Sequence, residues 1–176
     1  MPTSESTTQA LEIALKMEKE GREFYLKAGQ KSKNQLGQKL FQSLADAELE
    51  HMEKIKKIHA ALAGTARWPG GETTFVKGKF PPTVFAEALA NVGRLVKATS
   101  DDLEALRTGM DLENKGLLFY LDRSGQAASS GERQFYQALV AEERGHYLLL
   151  SDSYEFLTDP QGYLVRKEHH GLDAGG

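Results

Sequence analysis

Two glutamate–histidine pairs interrupt long helical patterns at positions where the apolar spacing calls for leucine. The pairs are Glu48-x-x-His51 and Glu143-x-x-His146. On a helix, residues i and i+3 share a face, so each pair presents a carboxylate and an imidazole together. Burying carboxylates without compensation would cost several kcal/mol each. These side chains must therefore be neutralised or compensated by a cation.

The polar pattern occurs twice, 95 residues apart. Glu18-x6-Tyr25 returns as Glu113-x6-Tyr120, and Glu48-x-x-His51 returns as Glu143-x-x-His146. At the same offset Gly21 matches Gly116, Phe24 matches Phe119 and Leu44 matches Leu139. A duplicated helical hairpin explains this repeat. Two such hairpins related by a pseudo-twofold axis would bring the six polar residues to one level of a bundle.

Four carboxylates and two imidazoles can ligate two divalent metal ions, with some carboxylates bridging. Four negative charges then balance two doubly charged cations. Oxygen-rich ligation with two histidines and no sulfur favours iron or manganese over copper or thiolate zinc. The alternative is a satisfied polar network without metal. We expect metal, because both Glu-x-x-His pairs lie in the core register and each follows a Glu-x6-Tyr at the same distance.

Four helices are predicted to position these residues, over about 7–30, 35–63, from about 100, and 129–157. The predicted caps are Ser6 with Gln9, Asn34, and Ser129 with Glu132 in a capping box, while Gly64 is a stop signal. Short connections around 31–34 and 125–129 predict two antiparallel hairpins. The expected fold is therefore an all-α four-helix bundle forming a single domain over residues 1–176.

The hairpins are joined by a long crossover at about 64–99, which is long enough for helix three to run parallel to helix two. A short amphipathic helix is predicted inside it from Phe85, Leu89, Val92 and Val96. Trp68 is expected to anchor the crossover by packing. An irregular, polar tail is predicted at about 158–176, and its His169-His170 pair is most simply part of a solvated terminus.

Composition excludes several other classes. The 176 residues contain no cysteine, which rules out disulfides, thiolate zinc, iron–sulfur clusters and thiol nucleophiles. The 22 basic and 25 acidic residues give no sign of a nucleic-acid partner. No apolar run is long enough to cross a membrane, and residues 1–9 lack the apolar core of a signal peptide. The default expectation is a cytoplasmic protein without a membrane partner.

The paired Glu-x6-Tyr and Glu-x-x-His motifs resemble those of the ferritin-like di-iron carboxylate superfamily. Within it, residues 18–25 (EKEGREFY) and 113–120 (ENKGLLFY) are most similar to the rubrerythrin branch. The resemblance covers about residues 11–157. It implies a ferritin-like bundle that holds two iron ions, with manganese as the alternative metal.

The resemblance also implies a role for each residue of the motifs. Glu18 and Glu113 would be terminal ligands, Glu48 and Glu143 bridging ligands, and His51 and His146 the two imidazole ligands. Tyr25 and Tyr120 would be phenols that hydrogen-bond the ligating carboxylates.

Two departures from the family pattern stand out. Rubrerythrins usually carry a four-cysteine, rubredoxin-like module that delivers electrons, and this chain has no cysteine. They also typically hold an extra glutamate on the third helix, where this chain offers Met110, Gly116 and Leu117. Reducing equivalents must then come from an external donor, and no seventh ligand is expected.

The favoured function is an oxidoreductase that reduces peroxide or dioxygen at a di-iron centre in a homo-oligomer, with a dimer favoured. Ferritin-type oxidation and storage of ferrous iron is one alternative, and it would require a hollow cage. A bundle whose metals are purely structural is another, and an oxygenase acting on an organic substrate is a third. Gly21 and Gly116 have two interpretations: space or access at the metal site, or close helix packing.

Overall fold

The computed structural model describes residues 4–65, 68–69, 99–163 and 165–166, with side chains from residue 6 onward and excluding that of Thr65. The long helices of this part of the chain are α1 (Ser4–Lys31), α2 (Gln35–Thr65), α3 (Ser100–Gln126) and α4 (Ser130–Thr158). The all-α four-helix bundle predicted from the sequence is confirmed. The crossover helix predicted around Phe85–Val96 lies outside the described residues. Among the described helices, none combines the length and apolar character needed to span a bilayer.

Side-chain caps fix the beginnings of three helices. The Asn34 side chain accepts a hydrogen bond from the Gly37 amide at 2.6 Å, so the predicted cap of α2 is confirmed. Thr99 caps α3 in a reciprocal capping box with Asp102. Ser129 caps α4 by accepting from the Glu132 amide at 3.1 Å. Each cap satisfies an amide that a helix leaves unpaired in its first turn.

Three details of the helix ends differ from the prediction. α1 begins at Ser4, so Ser6 lies inside its first turn and is not the cap. α2 continues one residue beyond the predicted stop at Gly64, to Thr65. The Glu132 carboxylate accepts from the amide of Ala128, one residue before the cap, so the box at α4 is shifted.

The direction of the helices follows from their contacts. α1 packs on α2 and α3 packs on α4, which forms the two predicted hairpins. Tyr25 and Glu18 of α1 contact Glu113 and Tyr120 of α3 in reversed order, so α1 and α3 are antiparallel. Since α2 is also antiparallel to α1, α2 and α3 run parallel, as the length of the crossover suggests.

In the described part of the chain, the core consists of two apolar clusters, one toward each end of the bundle. Between them lies a polar layer formed by the predicted glutamates and histidines. The cluster that contains the beginning of α1 comprises Leu11, Ala14, Ile55, Ile58, Tyr120, Phe135, Tyr136 and Leu139. The other contains Tyr25, Ala28, Leu36, Leu40, Phe41, Leu44, Ala45, Leu106, Leu150, Phe156, Leu157 and Tyr163. The two clusters hold the helices at the spacing that the polar layer needs.

The described residues beyond α4 are mostly helical, whereas the sequence predicted an irregular tail from about residue 158. Residues 160–163 and 165–166 are helical. Asp159 caps this turn by accepting from the Gly162 amide at 2.9 Å, and the buried Tyr163 ring packs edge-on against Phe156 at 5.7 Å. Burial of Tyr163 explains why a further helical turn forms after the break at Asp159. His169 and His170 lie outside the described residues.

Candidate metal centre

All six predicted polar residues meet at mid-bundle, and none is more than 4% exposed. α1 provides Glu18 and α3 provides Glu113. The two Glu-x-x-His pairs come from α2 and α4. Each side chain points inward because its position continues the apolar face of its own helix. We call the two hairpins, α1 with α2 and α3 with α4, half-repeats. Their polar residues therefore face one another across the bundle axis.

His51 is the centre of the first group of side chains. Its Nδ1 atom lies 3.0 Å from Glu18 Oε2, 3.6 Å from Glu48 Oε2 and 3.5 Å from Glu143 Oε1. These four residues bring one potential ligand atom each to within 4.8 Å of one another. Glu143 lies on α4, so this group combines residues of both hairpins.

His146 is the centre of the second group. Its Nδ1 atom lies 3.3 Å from Glu113 Oε2 and 3.7 Å from Glu48 Oε1. Glu48, Glu113, Glu143 and His146 again hold ligand atoms within 4.8 Å. The two groups share Glu48 and Glu143, the residues that the family resemblance implies as bridging ligands. The imidazole rings of the two groups stack at 5.5 Å between centroids.

Two buried tyrosines connect the hairpins by crossed hydrogen bonds. The Tyr25 hydroxyl donates to Glu113 Oε1, and the Tyr120 hydroxyl donates to Glu18 Oε1. Each tyrosine therefore binds the carboxylate of the opposite half-repeat. Such bonds orient a ligand side chain and leave its second oxygen directed at the centre. Glu18 and Glu113 each use that second oxygen toward the nearest histidine.

The two carboxyls that contact tyrosine are ionised. Burial raises the pKa of Glu18, but the His51 charge and hydrogen bonds from Glu48, His51 and Tyr120 outweigh it and lower that pKa to about 2. Burial likewise opposes ionisation of Glu113, and the His146 charge prevails, so its pKa also falls. Burial depresses the pKa of His146, yet the Glu113 carboxylate reverses this and raises it.

The pKa values of the two shared carboxyls, Glu48 and Glu143, shift in the opposite direction. Burial raises the pKa of Glu48 well above 4.5, and the negative charge of Glu18 raises it further. Burial and the charge of Glu113 do the same to Glu143. Like charges packed together cannot all ionise, so the shared carboxyls hold protons that a metal ion would displace.

The residues fit a pair of metal ions. Glu143 Oε1 is a buried oxygen that accepts no hydrogen bond from the part of the chain that the structure describes. A buried polar atom of this kind needs a partner, and a cation would provide one. The donor set of four carboxylates and two imidazoles also matches the preference of iron and manganese for oxygen and nitrogen.

A cavity of about 190 Å³ reaches the centre between α1 and α3. It touches Glu18, Glu48, Glu113 and Glu143, and Gly21 and Gly116 also line it. A Cβ atom added at Gly116 would lie 3.1 Å from Glu143 Oε2, whereas one at Gly21 would lie 3.6 Å from Glu48 Cδ. The glycines thus leave room both for the shared carboxylates and for a small ligand. This favours space or access at the metal site over close helix packing as the reason for these glycines.

Glu142 is a neighbour of the centre that the sequence analysis missed. Its carboxylate and ring nitrogens of His51 and His146 lie within 4.8 Å of one another. The repeat gave no signal for it, because the equivalent residue of the first half is Ala47. Its position four residues before His146 on the same helix could have indicated the contact.

Comparison with known proteins identifies the family. A family model described as rubrerythrin matches residues 9–154, a range that includes most of α1 and α4, all of α2 and α3, and all six residues of the centre. Neither the curated proteins nor the solved structures yield a match. The family match spans most of the chain, and the bundle and its carboxylate–histidine cluster agree with it. The chain belongs to the rubrerythrin family.

Proposed function

We propose that this protein binds two iron ions, one in each four-residue group, and reduces peroxide or dioxygen with electrons from an external donor. The observation that carries the proposal is the pair of overlapping groups that share Glu48 and Glu143. Two ions held by shared carboxylates would be close enough to act on one small molecule. Iron is the metal that membership of the family implies, and the donor set suits it.

When bound, the two ions supply the electrons for cleavage of an O–O bond. The protein contributes the arrangement around them. Glu18 and Glu113 are held by the crossed tyrosines, so their oxygens are oriented before any metal arrives. The apolar clusters above and below exclude bulk water, which strengthens electrostatic interactions inside the site.

The cavity favours a reactive centre over a purely structural one. A structural site closes all coordination positions with protein ligands, whereas a catalytic site leaves one accessible. Here the cavity contacts all four carboxylates and extends to Glu20 and Lys115, whose side chains are exposed on α1 and α3. A small, polar oxidant can reach the centre by this path. A cavity of about 190 Å³ is small for a bulky organic substrate.

The proposal is tested by titrating metal-free protein anaerobically with ferrous iron, then adding peroxide or air and following the absorbance. We expect saturation at two ions per chain and rapid oxidation at that stoichiometry. Glu48→Gln should lose at least one ion, because the shared ligand is neutralised. Glu50→Gln changes an exposed glutamate of the same helix and should bind normally.

Three outcomes would contradict the proposal. Absence of saturable binding would mean that the six residues form a polar network without metal. Saturation at two ions without any reaction with oxidants would indicate structural metals. A hollow assembly that takes up many ions per chain, seen by size measurement, would indicate storage.

A further inference from the structure

A series of aromatic rings leads away from the metal centre through one half of the bundle. Tyr120, which hydrogen-bonds Glu18, stacks on Tyr136 with a centroid distance of 6.2 Å and an interplanar angle of 22°. The Trp68 ring lies 6.4 Å from that of Tyr136. Successive ring centroids in this series therefore lie no more than 6.4 Å apart.

Trp68 is seated by the structure and reaches the surface. A Cβ atom at Gly131 would lie 2.7 Å from Trp68 Cδ1, so only glycine allows the indole to lie there. Phe135 supports the ring from the core at 5.5 Å. Trp68 is partly exposed, whereas Tyr120 and Tyr136 are fully buried. The series therefore connects the buried centre with solvent.

The internal repeat shows that packing alone does not require this series. In the other half, Tyr25 stacks on Phe41 in nearly the same geometry, at 6.2 Å and 18°. Phe41 and Tyr136 are equivalent positions of the repeat. The Tyr136 hydroxyl is buried and has no hydrogen-bond partner among the described residues. Phenylalanine would fill the same space without that cost, so the phenol calls for another explanation.

We propose that Trp68, Tyr136 and Tyr120 form an electron-transfer route that refills the metal centre from the surface when peroxide meets too few reducing equivalents. A phenol ring is more easily oxidised than a phenyl ring, which lowers the barrier for passage through position 136. The physiological use of the route depends on the proposed function, but the coupling of the rings does not.

The electron balance is as follows. Cleavage of peroxide to two water molecules takes two electrons and two protons, and solvent supplies both protons. Where the metal centre provides only one electron, Tyr120 provides the second, and its phenolic proton passes to Glu18. An electron from Trp68 then restores Tyr120 through the Tyr136 ring, and the proton returns from Glu18. Trp68 remains one electron short until an external one-electron donor, such as ascorbate, reduces it.

Pulse radiolysis of the metal-free protein tests the coupling without any iron chemistry. Azide radicals oxidise the single tryptophan, and the absorbance then reports intramolecular electron transfer from tyrosine to the tryptophan radical. We expect Tyr136→Phe to slow this transfer on the order of tenfold or more, as for a barrier raised by about 1.4 kcal/mol. Tyr163→Phe removes a buried phenol from the other apolar cluster and should leave the rate unchanged.

Equal rates in the wild type and Tyr136→Phe would overturn the route, as would the absence of intramolecular transfer in the wild type. Folding of the variant is checked by circular dichroism. Loss of structure is unexpected, because the Tyr136 hydroxyl makes no hydrogen bond with the described part of the chain.

A second experiment tests the use of the route in protein loaded with iron. With excess peroxide and no reductant, mass spectrometry of peptides should find oxidation at Trp68, and Tyr136→Phe should reduce it. Trp68 that stays intact in loaded, reacting wild type would overturn the proposed use. Failure of iron to bind or react would instead refute the proposed function, and the radiolysis result alone would then decide the coupling.

Discussion

At the scale of single residues, alanine substitutions at Gly21 and Gly116 distinguish two effects of an added Cβ atom. One is its effect on helix stability, and the other is its steric effect on the shared carboxylates. Replacing either glycine by alanine should favour the helix by about 1 kcal/mol. Gly21→Ala meets Glu48 only at ordinary contact distance, so we expect higher stability and normal metal binding. Gly116→Ala brings a methyl group to 3.1 Å from Glu143 Oε2, so the carboxylate must move and metal affinity should fall.

Thermal unfolding and ferrous titration of both variants check this prediction. Equal metal affinity in the two variants would show that the space beside Glu143 is not needed for binding.

A second prediction at this scale concerns protons at Glu48 and Glu143. Their pKa values are raised well above 4.5 in the metal-free protein, chiefly by burial and then by neighbouring carboxylates. Since ligands bind metal in the deprotonated form, metal binding must release these protons. We therefore expect metal affinity to increase as pH rises above 5. Calorimetry in buffers of different ionisation enthalpy measures the released protons, and pH-independent affinity would contradict the assignment.

At the scale of the helices, the caps keep the ligand-bearing faces in register. Asn34→Ala removes the acceptor of the Gly37 amide and should destabilise the bundle by about 1 kcal/mol. Asn34→Ser keeps a capping oxygen without placing a second carboxylate beside Asp102, and should be close to the wild type. Urea unfolding of the two variants provides the comparison. Equal loss of stability in both would mean that the capping oxygen of residue 34 does not stabilise α2.

At the scale of the whole molecule, metal binding and folding are coupled through the buried carboxyls. Glu48 and Glu143 have folded pKa values above the ordinary 4.5, so the folded state holds protons that the unfolded state has lost. Their contribution to stability is complete below pH 4.5 and decreases as pH rises. Glu18 has the opposite sign, because its lowered pKa of about 2 stabilises the fold above pH 4.5 and ceases to do so in acid.

The metal-free bundle should therefore become less stable as the pH rises above about 5. Metal-loaded protein should not show this decline, since bound cations replace the protons. Thermal unfolding with chelator and with ferrous iron across that pH range measures the difference. Parallel curves in the two states would contradict the coupling.

Much of the arrangement follows from local sequence, because helix periodicity is set by each residue and its near neighbours. Glu18, Glu113 and the two Glu-x-x-His pairs could be identified in this way, and the structure brings all of them together. The four helices and the Asn34 cap were predictable for the same reason. Ligation of metal by these residues remains a prediction.

Only the tertiary structure decided the contacts between hairpins. The crossed bonds of Tyr25 and Tyr120, and the contact of His51 with Glu143, join residues about 90 or more positions apart. Trp68 on Gly131 and Glu142 beside His51 are of the same kind. No local spacing encodes such pairs, since they depend on how two separately formed helical faces fit together. The burial of Tyr163 likewise depends on tertiary packing.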